Sequence, residues 1–275
     1  FYHKKMPTNK IYIFIFIFIF IFFTSFSNIV FADTDSNKSE LTVEADESLE
    51  WFEKEKYYLA KGNVTLKKNG VTLKANIVRA NYIFENDENI LNKIIAKDKV
   101  ILTNESTRAT GQYMTYNLNK KIAKISGPFQ TFSSKSGYIE SNKKITYDDL
   151  KNKAEAEGNV KIILSNKTII YADHIKADFN SNDKSLKKAI AKGNVIIENK
   201  AKKRKSKADL GIYNSDNKMV QLSGNVIIIN QKSKVSGSKG ITNLKTGVSN
   251  IIGDKKNKKR VKGVFAPIKK QKNGD

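Results

Sequence analysis

Few side chains in this chain could carry chemistry. Apart from His3, His174 is the only histidine, and cysteine is absent. A Ser-His-Asp triad could be drawn around His174, but no nucleophile elbow accompanies it. One internal histidine, no thiolate and no Asp-x-Asp-x-Asp-Gly loop leave zinc and calcium without a ligand set. Gly237-Ser238-Lys239-Gly240 is too short for a phosphate-binding loop and lacks the Lys-Ser/Thr that should follow it. Asp148-Asp149 and the pair Glu155 and Glu157 have the form of general acid/base dyads. Each falls in or beside a predicted turn, where carboxylates are solvated. His174 follows Ala172-Asp173 on a predicted strand and reads as solvent-facing. This inventory predicts no catalysis, no metal and no cofactor.

The elements that would position any site are set by a repeated phrase. Gly62-Asn63-Val64, Gly158-Asn159-Val160, Gly193-Asn194-Val195 and Gly224-Asn225-Val226 each open an apolar run, three of them preceded by Ala60, Ala156 and Ala191. Degenerate copies stand at Ala96 to Val100 and Ser126 to Phe129. A period of about 30 residues marks one supersecondary unit that is copied and stacked, because a single copy cannot bury its apolar face. Within a unit, Gly-Asn reads as turn chemistry. Val160, Ile162 and Leu164 then alternate with their neighbours as in a half-buried strand. A turn at Ser165 to Lys167 and a second strand, Thr168 to Phe179, follow, and Leu186 to Ala191 leads to the next copy. The unit is therefore expected to hold three strands and three turns. An Ala-Asp or Ala-Asn pair marks the middle strand at Ala45-Asp46, Ala75-Asn76, Ala172-Asp173 and Ala208-Asp209. Only three prolines interrupt potential sheet pairing. The class is all-β, an elongated structure of stacked hairpins.

Residues 1–32 read as a signal peptide. Lys4, Lys5 and Lys10 precede the apolar run Ile11 to Phe23, and Val30-Phe31-Ala32 offers a small-residue cleavage site. The rival reading is an uncleaved anchor; Thr24, Ser25, Ser27 and Asn28 dilute it, and the strictly apolar stretch is short for a bilayer of ~30 Å. Residues 33–268 form the β domain, and 269–275 a disordered polar tail. The formal charge is +23. It is compatible with an anionic partner, either nucleic acid or phosphate-bearing lipid. Only Arg79, Arg108, Arg204 and Arg260 are arginines, whereas phosphate clamps favour arginine's planar fork. The charge therefore reads chiefly as lysine-rich composition, and an exported β protein seldom meets nucleic acid. Lys202 to Lys205 reads as a solvated loop.

A leader, an Ala-Asp strand, then Ala-x-Gly-Asn-Val iterated across the chain and a closing Arg260-Val261-Lys262-Gly263-Val264-Phe265-Ala266-Pro267 together resemble the OstA-like superfamily, over roughly residues 38–268. The resemblance implies a twisted β-jellyroll, an open and folded antiparallel sheet with an apolar groove. It implies a non-enzymatic periplasmic protein that takes lipopolysaccharide from an inner-membrane exporter and passes it to an outer-membrane assembly protein. It also implies head-to-tail self-association through edge strands; here the candidates are Leu41 to Phe52 and Val248 to Phe265. Alternation lines one face with Val64, Leu66, Leu73, Val160, Ile162, Val195, Ile197, Val226 and Ile228. Such a face either fills its own core or holds acyl chains, with no charged clamp required, and sequence does not separate the two. Two other functions remain open: the membrane-anchored jellyroll subunit of the exporter, and a β-helix polysaccharide-binding protein. The latter would need aromatic platforms and paired carboxylates, for which one tryptophan is thin material.

Overall fold

Alternating apolar residues, β-branched side chains and an almost proline-free interior give extended chain nearly everywhere. The computed structural model describes residues 41–265 except 86, 87, 136, 202, 232 and 247. The signal peptide and the polar tail read from the sequence lie outside the described residues. No helix occurs among the described residues, which form eighteen strands in one antiparallel sheet. In chain order these are β1 (Thr42–Glu44), β2 (Ser48–Phe52), β3 (Tyr57–Lys68), β4 (Val71–Glu85), β5 (Glu88–Thr103), β6 (Arg108–Asn117), β7 (Ile122–Ser126), β8 (Gln130–Ser134) and β9 (Gly137–Ser141). Then follow β10 (Lys144–Asp148), β11 (Lys153–Leu164), β12 (Thr168–Phe179), β13 (Leu186–Asn199), β14 (Arg204–Asn214), β15 (Met219–Asn230), β16 (Ser233–Asn243), β17 (Ser249–Ile252) and β18 (Lys262–Val264).

The pairing is a meander. β1 and β2 both lie along β3 and act as one kinked lane. β7 with β8 and β9 with β10 likewise form two kinked lanes between β6 and β11. β17 and β18 close the far side against β16. The β3–β4 connection, Asn69-Gly70, holds φ of 50° and 74°; two consecutive left-handed residues make the tight turn that suits the twist of a hairpin.

The Gly-Asn phrase does something other than expected. It does not separate strands; it is a bulge inside one long strand. Register slips between Lys61 and Val64 in β3, Glu157 and Val160 in β11, Lys192 and Val195 in β13, and Ser223 and Val226 in β15. The expectation of three strands per repeat is thus corrected to two strands, each bent in its middle. Two residues at positive φ, such as Gly224 (75°) and Asn225 (48°), oppose a single residue on each neighbour. Asp98 and Lys99 keep that left-handed pair without glycine (φ 59° and 54°), so the bend survives in the degenerate copy. At Gly127-Pro128 the lane divides into β7 and β8, because proline cannot donate to a ladder.

These bulges align from lane to lane into a fold line, and the sheet halves on either side share an interior. Leu66, Leu73 and Leu102 from one half lie in the same buried cluster as Tyr82, Leu91 and Tyr116 from the other. That cluster holds twenty-two buried residues, chiefly from β3 to β7. The next, around Val160, holds eight, and the last, Ala208, Leu222 and Val226, only three. The core thins towards the C-terminal lanes.

Candidate functional site

The fold line explains why two sequence signals travel together. Asn63 Nδ2 donates to Asp46 Oδ2 (2.8 Å), Asn194 Nδ2 to Asp173 Oδ2 (2.9 Å) and Asn225 Nδ2 to Asp209 Oδ2 (2.9 Å). The aspartate of each Ala-Asp pair therefore accepts from the bulge asparagine of the following lane. The carboxylate lies where a side chain on the bulge glycine would go: a Cβ at Gly224 would stand 2.8 Å from Asp209 Cβ, and one at Gly193 would collide with Asp173. Glycine is required both for its φ and for this approach. The two motifs are the two halves of one cross-strand corner.

Beside the corner, inward residues form rows across the sheet. One runs Leu66, Leu73, Leu102, Ala109, Phe132, Ile139, Ile162, Ile170, Ile197, Ser206, Ile228 and Val235 through successive pairings. It is apolar at every lane but one. The corner row holds Val64, Val160, Val195 and Val226, and is polar only where Gln130 and Ser141 meet. Gln130 Nε2 donates to Ser141 Oγ at 3.0 Å, and both residues are fully buried. All nine positions expected to line the apolar face point inward. Val64, Leu66, Leu73, Val160, Ile162, Val195 and Val226 are buried, whereas Ile197 and Ile228 are partly exposed beside the smallest cluster. The row is buried from Leu66 to Ala109 and at Ile139 and Ile162, and it is partly exposed at Phe132 and at every member from Ile170 onward.

The titratable groups singled out from sequence are structural. Glu155 and Glu157 do not sit in a turn; they stand on β11 opposite Lys176 and His174 of β12. His174 is half-buried, and its Nε2 lies 2.5 Å from Glu155 Oε1. Lys176 reaches Glu155 at 3.3 Å, and Lys144 reaches Glu157 at 2.7 Å. Glu155, Glu157 and His174 bring ligand atoms within 4.8 Å of one another, but the two lysines already supply the counter-charge. Burial alone would raise the Glu155 pKa. The hydrogen bonds from His174 and Lys176 outweigh it, and the carboxyl lies below its ordinary value. Asp149 is not solvated but buried, 3.6 Å from the buried Lys184, whose Nζ also donates to Asn152. Burial, with the Asp149 charge second, pushes the Tyr116 phenol up to about 12. This ion pair pins the β12–β13 loop to the β10–β11 turn, where Phe179 N donates to Asn152 O at 2.9 Å. Arg204 and Lys205, expected in a loop, begin β14. Trp51 is 59% exposed on the edge lane, stacked on Tyr58 and donating through Nε1 to Tyr82 OH (2.8 Å).

A meandering antiparallel sheet, folded along a line of bulges over an apolar interior, defines a non-enzymatic β-jellyroll scaffold. The chain belongs to the LptA/(LptD N-terminal domain) LPS transport protein family, whose model matches residues 42–137 and 138–248. That family is one of transport proteins, not enzymes. A solved structure, LptH, the LptA-homologous periplasmic component of the lipopolysaccharide transport device of Pseudomonas aeruginosa, is similar over 83% of this chain and 96% of that one, at 12% identity and a TM-score of 0.22. No curated protein sequence matches the chain.

Proposed function

We propose that this protein is a periplasmic carrier of lipopolysaccharide. It is exported by removal of residues 1–32, holds the acyl chains of lipid A on its inner face, and passes them towards the outer membrane. The supporting observation is the inward row from Leu66 to Val235, apolar in all its lanes but one, which is partly exposed from Ile170 onward. Each methylene moved from water onto such a face contributes ~0.8 kcal/mol, so several acyl chains are held without any charged clamp. The exposed C-terminal lanes are where chains first contact the lining, and deeper occupancy requires the two halves to part. The edge lanes, β1/β2 and β17/β18, keep unpaired backbone groups and invite strand addition. On this reading they join the exporter's jellyroll subunit on one side, further copies of the chain in between, and the outer-membrane assembly protein on the other. No nucleic acid is involved.

The test is a photo-crosslinking side chain at inward Leu66, Ile162 or Ile228, with outward Lys67 and Lys161 as controls, in cells that make lipopolysaccharide. Adducts are expected at the inward set, strongest at Ile228. Equal labelling of both sets, or none at either, rejects the groove.

A further inference from the structure

The two edge lanes leave uncovered what other lanes hide. Leu49 and Trp51 on the first lane are 62% and 59% exposed, and Phe265 beyond the last is 73% exposed. The same lanes carry opposite charge. Glu44, Asp46, Glu47, Glu50, Glu53 and Glu55 stand on or next to the first, against Lys54 and Lys56. Lys255, Lys256, Lys258, Lys259, Arg260 and Lys262 stand on the last, against Asp254 alone. Lysine-rich composition does not account for a dense acidic stretch in a chain with 50 basic and 27 acidic residues. Glu44 and Glu50 meet Lys67 and Lys61 of β3. Glu47, Glu53 and Glu55 form no ion pair among the described residues, and neither do the six cations of the last lane.

Where the charges sit matters as much as their sign. The fold line crosses the first lane between β1 and β2, at Asp46-Glu47. It crosses the last between β17 and β18, where Asp254 and Lys259 exchange backbone hydrogen bonds of 2.7 and 2.8 Å. There the corner has grown into a small hairpin that carries the cations. Eighteen strands, with four lanes built of two strands each, make fourteen lanes. With an even number, the last lane runs antiparallel to the first lane of a second copy set in the same orientation. β17 extends the half to which β2 belongs, through Ile251 opposite Gly240, and β18 extends the half of β1, through Gly263 opposite Val235. A continuing sheet therefore brings β17 to β2 and β18 to β1 of the next copy, and the basic hairpin to its Asp46-Glu47 corner.

We infer that the edges are a charge-coded joint whose occupant is a second copy of this chain: the basic corner hairpin of one copy docks on the acidic edge lane of the next. Acidic against basic edges attract, and like edges repel, so the contact is heterologous and the chain of copies has one direction. This inference rests on the reading of the edge lanes as joints.

The experiment uses the leader-free chain, residues 33–275, in sedimentation velocity, with circular dichroism confirming the fold of each variant. Self-association weakens by about tenfold or more between ~0.05 and ~0.5 M salt, as screening shortens. Two charge-reversed variants are made at exposed positions: Glu47→Lys/Glu53→Lys/Glu55→Lys, and Lys255→Glu/Lys256→Glu/Lys258→Glu/Lys259→Glu. Each alone is expected to stay monomeric, because both its edges then carry one sign. Their equimolar mixture recovers association, because every contact is again between opposite signs. Variants that self-associate like the wild type, or a mixture that does not recover, overturn the charge code. The joint itself is tested separately by Ile251→Pro, which blocks strand addition at β17. If that variant associates normally, or the wild type is monomeric at low salt, the edge reading fails, and the code with it.

Discussion

Glu155 shows how a residue that looks catalytic in sequence is employed by a sheet. On β11 it faces the cation of Lys176 and the imidazole of His174 from the neighbouring lane, and two hydrogen bonds to its carboxylate outweigh the cost of partial burial. Its pKa is therefore lower in the folded chain than the ordinary 4.5. The sign follows from linkage: the folded state prefers the deprotonated form, so the contribution is fully present above the ordinary value and is lost as pH falls through the lowered one. Glu155→Gln should thus be less stable than wild type at neutral pH, with the gap closing below about pH 4.5. Thermal unfolding at pH 7 and in the acid limb checks this, and a gap that stays constant over that range contradicts the pairing. The sequence puts Glu155 in or beside a turn because Gly158-Asn159 has the chemistry of a turn that opens the next strand. The cross-strand partner, nineteen positions away, has no local signature.

The bulge is the element on which the architecture turns, and sequence revealed its parts without its form. Gly-Asn is the chemistry of a hairpin turn and of a left-handed bulge alike. The feature that separates them lies on the neighbouring lane. Ala75 and Val78, Ala172 and Ile175, and Ala208 and Gly211 all face inward although an odd number of positions separates them. The period-2 alternation slips phase at each Asn76, Asp173 or Asp209, and a phase slip opposite a Gly-Asn is the mark of a bend. Thr168 to Phe179, by contrast, is one strand in sequence and structure alike, because no Gly-Asn phrase interrupts it. Gly224→Ala should destabilise the protein by about 1–3 kcal/mol, since it combines a positive φ with a collision. That is a fall of roughly 2–4 °C in midpoint per kcal/mol for a domain of this size. Asp209→Ala loses one hydrogen bond, about 1 kcal/mol. Because Asp209 occupies the space the new methyl needs, the double variant should lose less than the sum of the two. Strict additivity in thermal unfolding would mean that the two motifs are not one corner.

At the scale of the molecule, each lane pairs with its sequence neighbours, and among the described residues no long-range closure locks the end lanes together. Stability is then carried locally by whatever interior each stretch of lanes encloses. The buried clusters shrink from twenty-two residues to eight to three along the chain, although the repeat phrase remains intact at Gly193 and Gly224. Sequence regularity therefore did not disclose the gradient. It arises from what lies inward: Leu73, Tyr82, Leu91, Ile94 and Tyr116 fill the early lanes, whereas Gly211, Gly237 and Gly240 leave the late ones thin. Native-state hydrogen exchange should show the slowest amides in β4 and β5 and opening free energies that fall towards β15 and β16, with exchange there faster by about a hundredfold, or ~3 kcal/mol. Added lipopolysaccharide should slow β12 to β16 first, because the lining of these lanes, Ile170, Ile197, Ile228 and Val235, is the stretch that solvent already reaches. A uniform profile would mean that the sheet opens as one unit. The thin end would then be no better placed than the thick one to part its halves and admit an acyl chain.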